Sequence, residues 1–107
     1  MQMLVLKTDG TAELRDNTGL ESLKAAVGGY IEGALVVNGA MMYCNEEGKL
    51  LGLQTNELAT LFYQYEAESD DFIAGDVAFV GIGDGDGEDY DVPEWVKTRF
   101  LEAQRVS

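Results

Sequence analysis

A chain of 107 residues with 46 % hydrophobic content, one cysteine and no histidine has material for one compact domain. It lacks both an internal disulfide and the side chain most used as metal ligand and general base. Twenty acids against seven bases give a formal charge of −13, which argues against direct DNA or RNA binding and against docking on an anionic membrane; it points either to a basic protein as partner or to a charge that only keeps a small protein soluble and monomeric.

Residues 3–7 and 11–15 are β-prone runs on either side of Thr8-Asp9-Gly10, and Asp-Gly between such runs predicts a hairpin. Leu20, Leu23 and Val27 recur at helical spacing as one apolar face, ended by Gly28-Gly29 in the manner of a glycine C-cap. Residues 30–38 and 40–45 read as a second strand pair around the hairpin dipeptide Asn38-Gly39. After a turn at Glu46-Glu47-Gly48, a helix is predicted to start at Thr55, whose hydroxyl caps it, with Leu58, Leu61, Phe62 and Tyr65 as its apolar stripe. Residues 66–71 form a polar loop, and Val77-Ala78-Phe79-Val80-Gly81 is an apolar run of the length of a buried strand. Asp91 and Glu94 have capping-box spacing around Pro93 and predict a terminal helix over 92–104, with Val96, Phe100 and Ala103 on one side and Trp95 at the rim.

These elements describe a single α+β domain over 1–107: a small mixed or antiparallel sheet that opens with an N-terminal hairpin, with two to three short helices on one face. Residues 1–82 make its core, 83–91 an acidic Gly/Asp loop and 92–104 the C-terminal helix. No stretch approaches the roughly 18 apolar residues of a membrane span, and the first residues lack the pattern of a secretory signal. The expected location is the cytoplasm.

Between Lys49 and Lys97 lie twelve acids and no Lys or Arg, densest at "GIGDGDGEDYDVPEW", residues 81–95. As an EF-hand begun at Asp84 this segment fails, since the sixth position is Asp89 where glycine is required and the twelfth is Trp95 in place of a bidentate Glu. As a dinucleotide loop begun at Gly81 it also fails, because the third glycine position is Asp86, among carboxylates that repel a pyrophosphate. Two options remain: a flexible glycine-rich connection, or an anionic surface in which Asp84, Asp86, Glu88, Asp89 and Asp91 face a partner. No metal site and no cofactor are expected.

A second group of candidates surrounds the paired glycines. A backbone without Cβ atoms at Gly28 and Gly29 allows close approach of a ligand, with Tyr30 and Glu32 beside it and Asn56 and Thr60 as further hydrogen-bonding groups. The competing account is structural: a helix stop, alternating strand residues, a helix cap for Asn56 and an internal donor for Thr60. Cys44, in an apolar strand, reads as a small buried hydrophobe.

The blocks "LVLKTDGTAEL", "VGGYIEG", "NEEGKLLGLQTNELAT" and "DFIAGDVAFVG", in this order and spacing, resemble a family of small proteins frequent in bacteriophages and mobile elements and labelled only as a domain of unknown function. The resemblance covers most of residues 1–81. Its signature corresponds to Gly28, Gly29, Ile31, Glu32, Asn45, Gly48, Asn56, Ala59, Thr60, Gly75 and Asp76, while 83–91 and the terminal helix are less typical. It implies an accessory protein acting inside a bacterial cell. The leading expectation is a non-enzymatic counter-defence inhibitor that covers a basic, nucleic-acid-binding surface of a host protein. The alternative is a protein that sequesters a small molecule or nucleotide signal near Gly28–Glu32 and Asn56–Thr60. A carboxylate hydrolase is least supported, because neither nucleophile nor base can be assigned.

Overall fold

One apolar strand, paired on both edges, organises the chain. The computed structural model describes residues 1–83 and 89–102. Strands β1 (Gln2–Leu6), β2 (Ala12–Asp16), β3 (Ile31–Val37), β4 (Ala40–Asn45) and β5 (Val77–Ile82) form an antiparallel sheet in the order β2-β1-β5-β4-β3. A short β6 (Asp89–Tyr90) pairs with the end of β5. The hairpins fall where the turn dipeptides place them: Gly10 has φ 88°, and Asn38 and Gly39 have φ 45° and 78°, the left-handed pair that matches strand twist in a two-residue turn.

Helix α1 (Leu20–Val27) ends at Gly28, whose φ of 80° lets its N–H and that of Gly29 return to the Lys24 carbonyl. Helix α2 covers Glu57–Ala67, and α3 (Glu94–Lys97) continues in π-helical geometry over Thr98–Glu102. Helices lie on both faces of the sheet. Met3, Val5, Ala78 and Val80 pack with Leu23, Ala26 and Val27 of α1, whereas Leu4, Leu6, Val77 and Phe79 pack with Ala59 and Phe62 of α2 and with Val96 and Phe100. This corrects the expectation of one covered face. It also explains why residues 77–80 are continuously apolar: a strand buried on both sides has no polar face to present.

Three further expectations change. The N-cap of α2 is Asn56, not Thr55, and its side chain accepts from the Ala59 N–H at 3.1 Å. Of the predicted α2 stripe only Phe62 is buried; Leu58, Leu61 and Tyr65 are 41, 64 and 77 % exposed. At about 100° per residue those three share a sector roughly 60° wide beside the buried arc. The sheet takes the other arc because Ala59 permits close approach and Phe62 completes a cluster with Phe79, Trp95 and Phe100. Similarly Leu20 is 57 % exposed, and Ala26 takes its place under α1.

The third change is at the C-terminus. Asp91 does not cap α3, whose N-cap is Pro93 without a side-chain bond. Instead Asp91 Oδ1 accepts from the Gln2 N–H at 2.7 Å, and Val92 N–H donates to the Gln2 carbonyl at 3.0 Å, which continues the β6 line along β1. Trp95 is at the rim as expected, with Nε1 donating to the Asn38 carbonyl at 2.9 Å. Ala103 and Gln104 lie outside the described residues.

Ion pairing fastens the first hairpin. Hydrogen bonds from Arg15 and then Lys7 hold the Glu13 carboxyl down at about 2, against an ordinary 4.5. A depressed carboxylate favours the folded state above its ordinary value, and that contribution is lost as pH falls from 4.5 through about 2.

Candidate functional site

A cleft of about 450 Å³ lies between the β3–β4 hairpin, α2 and the chain at residues 71–74. Antiparallel register sets Glu32 opposite Cys44, and Ala34, at the irregularity between Gly33 and Leu35, extends the same wall. Helix α2 contributes Tyr63, while Lys49 and Leu50 come from the turn after β4. That turn lies close against residue 74 because position 48 is glycine: a Cβ there would sit 2.7 Å from the Ala74 carbonyl oxygen. Asn45, 5 % exposed, holds its start by accepting from the Glu47 N–H at 2.8 Å and donating to the Val27 carbonyl at 3.2 Å.

Charge in the cleft is unbalanced. Glu32, Glu46 and Asp71 face one cation, Lys49, whose Nζ is paired with Asp71 and stands 4.6 Å from the centre of the Phe72 ring. The hydrogen bond from Lys49, then that from the Phe72 N–H, lowers the Asp71 pKa below its ordinary value. Glu32 carries no side-chain hydrogen bond or ion pair among the described residues. Burial, and next the Glu32 charge, raise the Cys44 thiol, so the sulfur stays protonated and weakly nucleophilic.

The predicted ligand group does not converge. Glu32 lines the large cleft, but Gly28 lines another hollow of about 290 Å³ with Thr8, Gln54 and Asp76. The close approach at Gly29 is used by Asn45, whose Nδ2 would lie 2.9 Å from a Cβ there. Tyr30 is 64 % exposed, with Lys24 Nζ 4.7 Å from its ring centre. Asn56, 1 % exposed, spends its amide on the Leu6 and Gly75 carbonyls at 2.9 and 3.1 Å. Thr60 Oγ1 accepts from the Ile73 N–H at 2.9 Å. These last two side chains, with Asp76 accepting from the Thr8 N–H at 2.9 Å, lace the approach to β5 onto α2 and the first hairpin.

Tyr63, Lys49, Asp71 and Phe72 escaped sequence reasoning as cleft residues. One signal was available: Lys49 is the sole base between Lys24 and Lys97.

Of the predicted partner-facing acids, Asp84, Asp86 and Glu88 lie outside the described residues; Asp89 begins β6, and Asp91 is exposed. All four lysines are paired with acids, Lys7 with Glu13, Lys24 with Glu21, Lys49 with Asp71 and Lys97 with Glu94. Arg99 lies over the Phe62 ring at 4.9 Å. Among the described residues no group of three or more Cys, Asp or Glu could hold a metal ion, and no helix is long and apolar enough to cross a membrane.

No curated protein and no solved structure matches the chain. Residues 1–104 match the family described as "Domain of unknown function (DUF3846)", a span that continues past residue 81 through the acidic segment and into the terminal helix. A match over that much of the sequence shows the family, and the chain belongs to DUF3846.

Proposed function

We propose that the protein is a non-enzymatic docking protein whose acidic surface covers a basic, nucleic-acid-binding surface of a host protein. In this reading it is a counter-defence inhibitor carried by a phage or other mobile element and works in the bacterial cytoplasm. The observation that carries the reading is the outer side of α2. There Leu58, Leu61 and Tyr65 are exposed on a helix that carries Glu57 and Glu66 and is closed by Glu68, in a sequence with no Lys or Arg between Lys49 and Lys97. Some acids of this stretch serve the fold, Asp76 and Asp91 through backbone N–H groups and Asp71 and Glu94 through lysines, but those at the end of α2 do not. Leu61 and Tyr65, more than half exposed, bury little on folding, and Glu66 and Glu68 stand at the end of α2 where the helix dipole favours cations, with no base in the last turn. Both features suit a cationic partner: apolar side chains anchor the centre of an interface, and acids on and beyond α2 steer encounter.

Sequestration of a nucleotide signal at Gly28–Glu32 and Asn56–Thr60 has less support, because the Asn56 and Thr60 side chains are already bonded within the fold.

Association of the immobilised full chain with proteins captured from host lysate tests the reading. Long-range attraction falls as salt shortens the Debye length to about 8 Å at physiological ionic strength. Converting Asp84, Asp86, Glu88 and Asp89 together to Asn or Gln is expected to slow association about tenfold and flatten its salt dependence. The double change Leu61→Ser with Tyr65→Ser is expected to speed dissociation. Unchanged kinetics in both variants would remove the acidic face from the mechanism.

A further inference from the structure

We propose that the cleft between the β3–β4 hairpin and α2 binds a small organic cation, an ammonium or guanidinium group on an apolar stem, with Glu32 as its counter-charge. This site is distinct from the α2 docking face and does not rest on that reading.

Three observations converge on it. The first is shape: about 450 Å³ lies within the roughly 300–1,000 Å³ range of small-molecule clefts, and the walls combine Ala34, Ile73 and the Tyr63 and Phe72 rings with the charged Glu32, Glu46, Lys49 and Asp71. The second is Glu32, a carboxylate on the wall with no side-chain partner among the described residues. The third is Lys49. Its ammonium, held between the Asp71 carboxylate and the Phe72 ring face at 4.6 Å, shows the chemistry this surface accepts: a cation resting on an aromatic ring beside an acid.

Charge then selects the ligand. With Lys49 already paired, Glu32 and Glu46 leave the cleft net negative, so a phosphate or carboxylate group is repelled and a cation is drawn in. The nucleotide class expected from the paired glycines is therefore the wrong sign for this cleft. An organic cation meets Glu32 with its charge while its stem covers Ala34, Tyr63 and Ile73. Cys44, raised by burial and by Glu32, takes no covalent part.

The cation can come from a free amine or from an arginine side chain on another protein, and the test separates them. The full chain is titrated, with backbone amide shifts as readout, with n-butylamine and agmatine. n-Butanol and AMP serve as neutral and anionic controls, and a blocked Gly-Arg-Gly peptide as the side-chain source. Saturable shifts are expected on residues 31–34, 43–46 and 71–74. Butylamine should bind at least about tenfold more tightly than butanol, and AMP should leave these amides unmoved. Glu32→Gln should weaken the amines by about tenfold or more with an unchanged melting temperature, whereas Glu57→Gln, an acid away from the cleft, should not. Tighter binding of agmatine than of the peptide assigns a free cation, and the reverse assigns a partner's side chain. The proposal is overturned by absence of saturable shifts up to about 50 mM. It is equally overturned by shifts spread over the acidic surface and indifferent to Glu32→Gln, or by AMP binding at these amides. Loss of this site would leave lysate capture by the α2 face untouched.

Discussion

Replacing Asn56 by alanine is expected to cost about 3 kcal/mol of stability or more, an unusually large effect for one polar side chain. Loss of the helix cap accounts for about 1 kcal/mol. The remainder comes from the Leu6 and Gly75 carbonyls, which lose their Nδ2 donor in a place only 1 % exposed, where water does not replace it. Two companion substitutions separate the parts. Asn56→Ser keeps a capping oxygen and should recover only the first portion. Asn56→Asp keeps the cap but turns a carboxylate toward two carbonyl oxygens, and should be at least as harmful as alanine. Urea unfolding of the three variants measures this; a loss under about 1 kcal/mol for alanine would show that the bonds from Asn56 do not hold α2 to β1 and the approach to β5.

Phe79→Ala is expected to be the most damaging apolar change, at about 3–5 kcal/mol. The ring is fully buried on the α2 side of the central strand, edge-on to Phe62 at 5.6 Å and stacked on Phe100 at 5.2 Å. Its removal strips both the area term and the aromatic contacts, and it loosens the one strand that pairs with β1, β4 and β6. Since small domains have roughly 5–15 kcal/mol in total, the variant should melt far below the parent. Phe79→Leu, which keeps most of the volume, should lose much less. Similar melting temperatures for Phe79→Ala and the parent would mean that the cluster does not organise the core.

The hairpins and the end of α1 were legible in the sequence because their signals are local: Asp9-Gly10, Asn38-Gly39 and Gly28 each serve a left-handed backbone position. The central strand was legible as an apolar run. The inner face of α2 was not, since Leu58, Leu61, Phe62 and Tyr65 form as good a periodic stripe as the buried set, and only the sheet beneath decides between them. Thr55 and Asn56 are adjacent capping residues, Asn the stronger of the two, and the Leu6 carbonyl, fifty positions away, fixes the choice of Asn56. The cleft was least legible. Its residues come from 32–34, 44–50, 63 and 71–74, and no local pattern announces that Glu32 meets Tyr63 and Phe72 across a gap. Of the glycines that suggested a ligand, Gly29 serves instead to admit Asn45.

If the acidic surface covers a nucleic-acid-binding surface as proposed, this chain and nucleic acid compete for one surface of a host protein. The most direct measurement takes a protein captured from host lysate, binds it to labelled duplex DNA, and adds the acidic chain while DNA occupancy is followed. Displacement is predicted, with a competition constant equal to the affinity measured directly for the pair and with neither complex able to hold the third component. A stable ternary complex, in which DNA and this protein sit on the host protein together, would contradict it.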